Sequence, residues 1–532
     1  MDGEPWRVLR AKFTTTFTSR RMKMMFDTLV AKTEDLERIV EVFAVIALLY
    51  YVRYRQTYWK RRGLYQFKPE YFFGNARKEL FGLGSIFLLF RDTYEKARAL
   101  KEKHFGIYFF WDPLYVPTDL NIIKHILIKD FPHFHGHGWF SHPKDRLSMN
   151  LFAMEGEPWR VLRAKLTSTF TSGRMKMMFD TLVAKTEGLE RMVEGFMVRG
   201  NPVDIKETAS RFTTDIIASC AFGIENDALG DDRNDFRRQG RKMFKPNVIY
   251  MLLFNTLPSW ILGPLGFKFA PKDLDKFFSE TVLDTIEYRE KYDVRRKDFM
   301  DLLLQLKNGS DDGKHPPESQ RLTVDEIIAQ CFVFFLAGFE TSSTTITFAL
   351  LELAFSQDIQ EKLRNEILDV LERYDGLLSY DAMMEMTYLD MVVGETLRKY
   401  PPGANLPRVC SKTYRVPGTD VVIEKGTKVQ IPVWGIQMDP EYYPDPETFD
   451  PERFTADNKA KRPEMTFLPF GEGPRMCIGL RFGTMQVKVG LISLLKKFKF
   501  TLNEKTRTPI EMEKVNFVLA VEGDVWLNAS RV

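Results

Sequence analysis

A long apolar run at residues 324–355 constrains the fold most, because charged side chains interrupt it at only a few positions. A helix that is apolar almost all round has to lie in the interior of a large protein. Charged-apolar periods typical of helices extend over most of residues 92–400, and strand-like patterns occur chiefly at 107–117 and 421–432. The sequence therefore predicts a mainly α fold with a small β-rich part.

The composition is that of one large, nearly neutral globular domain. The chain has 532 residues and a net charge of +4, which gives no case for a nucleic-acid partner. After about residue 75 no Gly/Ser-rich or Pro-rich linker divides it. The cysteines are scattered without paired spacing, which predicts neither a disulfide framework nor a zinc knuckle and suits a reducing compartment; they are Cys220, Cys331, Cys410 and Cys477.

An internal duplication marks the N-terminus. Residues 3–41 recur at 156–194 with an offset of 153, since 156 − 3 = 153. Two nearly identical copies do not make a solenoid, which needs at least three stacked repeats. We interpret residues 1–41 as a copied segment and not as an independent domain, produced by a partial exon duplication or by a mis-assembled gene model. The copies differ at Phe13/Leu166, Thr15/Ser168, Arg20/Gly173, Asp35/Gly188 and Ile39/Met192.

Two further segments are candidates for membrane contact. Residues 42–52 carry no charge and are followed by basic residues up to Arg62, so 42–63 reads as a short anchor with a basic flank. As a helix, the uncharged part extends about 17 Å against roughly 30 Å of hydrocarbon, and an interfacial or core helix is the alternative. The flank favours a cytosolic position for the following domain. The apolar segment 257–269, with Trp260, either contacts the membrane or packs in the core.

A glycine-punctuated loop near the C-terminus contains one cysteine. Residues 467–479 read Phe-Leu-Pro-Phe-Gly-Glu-Gly-Pro-Arg-Met-Cys-Ile-Gly. A thiolate can occupy one axial position of haem iron, and glycines allow the backbone to turn tightly and approach a macrocycle. Arg475 can form a charge-assisted pair with a haem propionate. The loop therefore predicts a haem-thiolate site with Cys477 as the iron ligand.

The middle of the apolar run reads Ala337-Gly338-Phe339-Glu340-Thr341-Ser342. Small residues let another group approach the helix, and a buried carboxylate beside a hydroxyl needs a reason. One reading is functional, and the other is a helix kinked by a threonine that bonds to its own turn.

Histidines are grouped in one Gly- and aromatic-rich stretch, at His133, His135, His137 and His142. A metal site there is disfavoured because the spacing lacks a second ligand group. The last histidine is His315, which excludes a histidine-based hydrolase triad in the C-terminal part of the chain.

Phe470, Gly473, Cys477 and Gly479 have the spacing of the haem-binding signature of the cytochrome P-450 monooxygenases, which residues 64–532 resemble. The resemblance implies that family's fold in a single haem domain, haem b as cofactor, and Cys477 as its axial ligand. It places Ala337 and Gly338 at the distal face of the haem, with Thr341 and Glu340 as the catalytic hydroxyl and the proton supply.

The same resemblance assigns further residues by motif. It implies haem propionate contacts from Arg475 and Arg408 and from the Trp159-x-x-x-Arg163 motif. It implies a buried structural triad of Glu395, Arg398 and Arg453. The distal cavity is expected to bind lipophilic molecules; its predicted lining includes Phe134, Trp139, Phe140, Phe335, Leu406, Phe517 and Val518.

The implied reaction inserts one oxygen atom from dioxygen into a lipophilic substrate, with electrons from NADPH through a flavoprotein reductase. Cytochrome b-five is a second candidate electron donor. The chain resembles the insect microsomal branch, family 6-like, which acts on plant toxins and insecticides at the endoplasmic reticulum membrane. A basic surface is predicted either to dock the acidic reductase or to be an ordinary solvated face; it comprises Arg160, Lys165, Arg174 and Lys176.

Two alternatives stay open for function. One is a haem-binding protein without turnover, because of the aberrant N-terminus. The other is a relative that isomerises peroxides without a reductase, although such members commonly lose the acid and hydroxyl that Glu340 and Thr341 retain.

Overall fold

The central helix, Val324–Phe355, lies in the interior of the domain. It begins with a capping box, in which Glu326 N donates to Thr323 Oγ1 (3.1 Å) and Thr323 N donates to Glu326 Oε2 (2.8 Å). The computed structural model describes residues 3–16, 19–244, 250, 253, 257, 259–308 and 321–532. Within those residues the fold is mainly helical, as predicted.

The other α-helices surround the central one or precede the domain. Their bounds are Glu4–Thr16, Ser19–Arg55, Arg77–Leu80, Ile86–Ala99, Leu120–Lys124, Gly156–Thr167, Ser172–Val198, Ile205–Ile217, Asp235–Phe244, Ser259–Leu262, Lys272–Tyr292, Phe299–Asn308, Gln357–Arg373, Tyr380–Glu385, Thr387–Lys399, Val433–Gln437, Ala456–Lys461 and Leu480–Leu495.

The strands form three small sheets. They are β1 (His104–Phe109), β2 (Asp112–Pro117), β3 (Val203–Asp204), β4 (Leu406–Val409), β5 (Tyr414–Arg415), β6 (Val422–Ile423), β7 (Lys428–Ile431), β8 (Phe498–Leu502) and β9 (Trp526–Arg531). The largest sheet has the order β1-β2-β7-β4, in which β2 and β7 are parallel and the other pairs antiparallel. β3-β9-β8 and β5-β6 form the other two. The predicted strand-like segments 107–117 and 421–432 both contain strands.

The two copies of the repeated segment have different environments. Trp159, Met178 and Phe179 of the second copy are buried in the main core, whereas Trp6 and Phe26 of the first copy are exposed. At Gly188 in the second copy, a Cβ would lie 3.1 Å from Leu229 Cδ1, so the helix surface there is closely covered.

The uncharged segment 42–52 belongs to one continuous helix, Ser19–Arg55, together with the end of the first copy. Phe43, Val45 and Ile46 are exposed on it, and the helix meets the domain near its end, where Tyr71 donates to Leu49 O (2.7 Å). Among the described residues, one helix has the length and hydropathy of a membrane span, and it is the largely buried Val324–Phe355.

The apolar segment 257–269 is divided between surface and core. The Trp260 side chain is 75% exposed and Leu265 is also exposed, whereas Phe269 is buried. The core reading therefore holds for Phe269, and membrane contact stays a prediction for Trp260 and Leu265.

Candidate functional site

The cysteine loop has a backbone that only glycine permits at one position. Gly473 has φ of 74°, and a Cβ there would lie 2.1 Å from Leu127 O. The loop is closed by Cys477 N, which donates to Phe470 O (2.9 Å). The Cys477 side chain is accessible, but surrounding protein atoms raise the pKa of its thiol because they deprive the thiolate of water. An accessible thiol in a desolvated recess suits a ligand for a metal-containing cofactor.

The central helix has accessible surface in its middle. Ala337 is exposed and Thr341 is half-buried, although most of the helix is buried. Thr341 Oγ1 donates to Ala337 O (2.5 Å), the bond to its own turn that the structural reading predicts. The lone pairs of the hydroxyl stay available to accept a hydrogen bond. Ala337 and Thr341, four residues apart, share one helix face.

Gly338 has a different neighbour. A Cβ at this position would lie 2.3 Å from Ile217 Cδ1. Position 338 therefore has to be small because the helix Ile205–Ile217 packs against it. Of the two small residues predicted at the distal haem face, Ala337 is exposed, whereas Gly338 packs closely against Ile217.

Glu340 is buried, and burial raises the pKa of its carboxyl, only partly offset by Arg237 and Lys206. The nearby Glu207 accepts from Arg211, Arg237 and Arg241, and these cations lower its pKa to about 2. The site thus holds a carboxyl that favours its protonated form, adjacent in the chain to the Thr341 hydroxyl.

The helix Leu480–Leu495 joins the cysteine loop to the central helix. It starts directly after Gly479, and a Cβ at Gly483 would lie 3.8 Å from Ser342 Oγ. The helix that follows the cysteine loop therefore passes beside Ser342, the neighbour of Thr341 in the chain. Leu406 also contacts the loop, since its Cδ1 lies 3.7 Å from the Cβ position of Gly471.

Arg408 is a buried cation with an unused donor. It is 2% exposed, Nη1 donates to Pro407 O (2.7 Å), and Nε has no hydrogen-bond partner among the residues that the structure describes. Burial lowers the pKa of its guanidinium to about 10. A buried charge without a counterion is unfavourable, so this position fits an anionic group such as a propionate.

Arg475 is held by backbone carbonyls. It donates to His135 O (2.9 Å), Leu151 O (3.2 Å) and Met154 O (2.6 Å), and its guanidinium carbon lies 4.0 Å from the centre of a Trp159 ring. Burial and the charge of Arg408 lower its pKa to about 9.

Arg163 adds a further positive charge near Arg475 and donates to Met476 O (2.8 Å). The predicted propionate residues are thus brought together, with Arg408 offering the unpartnered donor and Trp159 stacked under Arg475. An accessible thiol and a cluster of buried arginines fit a haem, whose iron accepts a thiolate and whose propionates need cations.

The predicted triad is present as a contact network. Glu395 and Arg398 are fully buried and bonded through both carboxylate oxygens, and Arg453 Nε lies 3.5 Å from Glu395 Oε1. Arg398 also donates to Gln437 O (3.0 Å) and Pro446 O (2.8 Å). The network therefore ties the Thr387–Lys399 helix to the segment that precedes the cysteine loop.

The predicted substrate residues fall into two groups. Phe335 and Phe517 lie in one aromatic cluster with Phe244 and Phe339: ring centres are 4.9 Å apart for Phe335–Phe339, 5.4 Å for Phe244–Phe339 and 6.5 Å for Phe244–Phe517. Trp139 adjoins it, 5.6 Å from Phe517, and Phe140 belongs to the same core.

Phe134 lies elsewhere. It packs against Tyr414 (4.9 Å) in the sheet-side core that Leu406 borders. Sequence reasoning missed Phe244 and Phe339, although Phe339 stands inside the 337–342 motif.

The grouped histidines have separate local partners. His133 Nδ1 contacts Lys412 O (3.2 Å), Gly156 N donates to His135 Nδ1 (3.3 Å), and Lys144 N donates to His142 Nδ1 (3.3 Å). In the described part of the chain, no three His, Cys, Asp or Glu side chains are placed to hold a metal ion.

The chain is similar to known proteins over most of its length. A family profile described as "Cytochrome P-450" matches residues 75–527. "Probable cytochrome P-450 6a20" of Drosophila melanogaster is 42% identical over 509 residues, covering 93% of this chain and 99% of the relative. "Cytochrome P-450 6a8" of the same organism is 40% identical (93% and 98% covered), and "Cytochrome P-450 6k1" of Blattella germanica is 40% identical (92% and 95%).

Proposed function

Because the chain belongs to the cytochrome P-450 family, we propose that it oxidises lipophilic xenobiotics such as plant toxins and insecticides, or endogenous lipids, with electrons that NADPH supplies through a flavoprotein reductase. The family makes it a haem monooxygenase of the xenobiotic type. The observation that carries the proposal is the accessible Cys477 thiol, in a glycine-shaped loop whose following helix passes beside Ser342.

Cys477 would hold the haem iron through its thiolate, in the loop shaped by Phe470, Gly473 and Gly479. Arg408 would bind a propionate with its unpartnered Nε, supported by Arg163 and Arg475, with Trp159 under Arg475. The bound haem supplies dioxygen activation.

Glu340 would belong to the proton supply of the reaction, and Thr341 would be its catalytic hydroxyl. Burial keeps the Glu340 carboxyl ready to retain a proton. The Thr341 hydroxyl, fixed by its bond to Ala337 O, can accept a hydrogen bond from water or from the acid. Ala337 leaves the accessible space beside that hydroxyl. Two nearby cations, Arg237 and Lys206, attract the ionised form of Glu340 and so partly offset the effect of burial on its pKa.

The aromatic cluster of Phe335, Phe339, Phe244 and Phe517 supports a lipophilic substrate, because such surfaces bind by burial with few polar contacts. Phe140 and Leu406 would complete the wall near Trp139 and the cysteine loop. Phe134 would act indirectly, through the sheet-side core.

Reductase docking would use the basic surface around the helix Gly156–Thr167. Arg160 pairs with Glu157 and Lys176 with Asp381, but all four side chains of these pairs remain more than half exposed and can respond to an acidic partner. Arg174 and Lys165 extend the surface. Cytochrome b-five, also acidic by this proposal, would compete for it.

Attachment to the endoplasmic reticulum membrane would come from the exposed apolar side chains of the Ser19–Arg55 helix, with Trp260 and Leu265 as a second contact. The basic residues after residue 52 favour a cytosolic domain. Binding to vesicles, reduced by deletion of residues 1–52 and reduced further by Trp260→Ser, tests this arrangement.

The deciding experiment combines spectroscopy and turnover. The reduced protein with carbon monoxide should give the spectrum of a thiolate-ligated haem, and with purified reductase and NADPH it should consume a lipophilic substrate. Correct ligation without turnover would support the binding-only alternative. Conversion of a hydroperoxide without NADPH and reductase would support the isomerase, which the retained Glu340 and Thr341 disfavour.

A further inference from the structure

His137 lies between two of the buried arginines. Its loop runs beside β4, where Val409 N donates to Gly136 O (2.9 Å), and Val409 directly follows Arg408. The buried imidazole contacts Phe152 O through Nδ1 (2.9 Å), and Arg475 Nη1 lies 3.5 Å from the same oxygen. The imidazole therefore shares an acceptor with Arg475 and neighbours the strand that carries Arg408.

The contact with Phe152 fixes how the ring can bind anything else. A carbonyl oxygen only accepts hydrogen bonds, so Nδ1 carries the hydrogen of the neutral ring and Nε2 carries a lone pair. No hydrogen bond to Nε2 occurs within the described residues. The ring also packs against the Phe152 ring at a tilt of 39°, with ring centres 4.4 Å apart, which restricts its orientation.

The charges that face His137 are those of Arg408 and Arg475. Together with burial, they hold the pKa of its imidazole well below the ordinary 6.5. The carboxylate on this loop, Glu155, is engaged with Gly138 N (2.8 Å). Without a cofactor, His137 is therefore a neutral ring in an electropositive recess.

We propose that His137 takes up one proton from solvent when haem binds and then donates from Nε2 to the propionate that Arg408 also holds. A carboxylate accepts hydrogen bonds only, as does the neutral Nε2, so the contact requires the imidazolium. The negative propionate offsets the two arginine charges that otherwise oppose protonation. No covalent bond is made or broken. The inference rests on the proposed placement of the haem against Arg408.

The consequence is haem retention that depends on pH. Because the complex holds one proton more than the separated protein and haem, the affinity falls as the pH rises. With one linked proton, the change reaches about tenfold per pH unit between the two pKa values of His137, in the cofactor-free and haem-bound protein. Between about pH 6 and 8 Arg408 and Arg475 stay charged, because their pKa values of about 10 and about 9 lie above this range, so arginine contacts alone give no such slope.

The test measures the rate at which the ferric holoprotein transfers haem to excess apomyoglobin, from about pH 6 to 8, the range in which histidines titrate. The wild type should lose haem faster as the pH rises. His137→Phe should lose it fast at every pH, and His137→Gln, whose amide can donate without titrating, should be slower than His137→Phe and flat. His104→Phe removes another buried histidine, bonded to Tyr115 OH (2.6 Å), and should keep the wild-type slope.

Two results would overturn the inference: a flat wild-type profile, or a His137→Phe profile that keeps the wild-type slope. If His137→Phe fails to fold, as judged by circular dichroism, the wild-type slope and its loss in His137→Gln decide the matter. The carbon monoxide spectrum separates this from the function: a thiolate-type spectrum with an unaffected slope refutes only the role of His137, and absence of haem refutes the proposed function.

Discussion

Glu395 and Arg398 form a two-pronged ion pair with no solvent exposure, with Arg398 Nε 2.7 Å from Oε2 and Nη2 2.8 Å from Oε1. Arg160 and Glu157 have the same i, i+3 geometry at the surface, where their side chains are 73% and 63% exposed. The chain thus contains a buried and an exposed version of one interaction.

Removing the buried cation should be far more damaging than removing the exposed one. Arg398→Ala strands the Glu395 carboxylate, for an expected loss of about 3–5 kcal/mol of unfolding free energy. Arg160→Ala should leave the free energy of unfolding nearly unchanged, because solvent screens an exposed ion pair. Denaturant unfolding of both variants measures the difference, and equal losses would contradict the assigned burial.

Replacing Cys477 by serine should abolish the thiolate spectrum and turnover while leaving the helical circular dichroism unchanged, because the side chain is accessible and adds little to the core. Cys410→Ser is the matched control, since Cys410 Sγ faces the carbonyl oxygens of Lys412 (2.9 Å) and Ile423 (3.6 Å), to which a serine hydroxyl can also donate. Spectra of the reduced carbon monoxide complexes compare the two. An unchanged spectrum in Cys477→Ser would refute the ligand assignment.

Gly473 and Gly479 should respond differently to alanine. Gly473→Ala meets Leu127 O and a left-handed backbone, so the loop should lose its shape and the protein its stability. At Gly479 nothing lies within 4 Å of the new Cβ, so the cofactor-free fold should be kept. If Gly479→Ala has the melting temperature of the wild type but binds haem poorly, the cofactor occupies the open space beside the Cβ position of residue 479. Unimpaired binding would remove Gly479 from the site.

Glu340→Gln should stabilise the protein near neutral pH. Because burial raises the folded-state pKa above the ordinary 4.5, the ionised carboxylate opposes folding increasingly as the pH rises through that folded value. Below about pH 4.5 both proteins carry a neutral group, and the difference should vanish. Melting temperatures across this range measure it.

The same substitution should harm catalysis, by about 10²-fold if Glu340 is the proton source. Product formed per NADPH, with Thr341→Ala for comparison, reports this loss. A variant that is more stable and equally active would contradict the role of the acid.

Deleting residues 1–41 should leave haem content and melting temperature unchanged, because the first copy exposes the residues that its counterpart buries. Carbon monoxide spectra and thermal melts of the shortened chain test this. A large loss of either would show that the copy supports the domain.

Much of the architecture could be predicted from local sequence. The central helix has the predicted bounds 324–355, because an apolar pattern of that length has one stable conformation in a large core and Thr323-Glu326 caps its start. The tight turns of the cysteine loop could also be predicted, because the glycines that permit them and their spacing are local features of the sequence.

What the sequence could not predict depends on tertiary neighbours. Arg475 and Arg408 look alike in the chain, but only the structure gives Arg475 backbone partners and leaves Arg408 Nε without one. Gly338 needs to be small because Ile217 comes from another helix. Phe134 is separated from Phe335 and Phe517 by its packing on Tyr414.

The close cover over Gly188 has a consequence for the twin segments. The first copy has Asp35 at the equivalent position, and seating it there would press a carboxylate onto the methyl groups of Leu229. The two near-identical segments are thus not interchangeable. The Asp35 carboxylate disfavours packing of the first copy in the position of the second, either within one molecule or by exchange between two molecules.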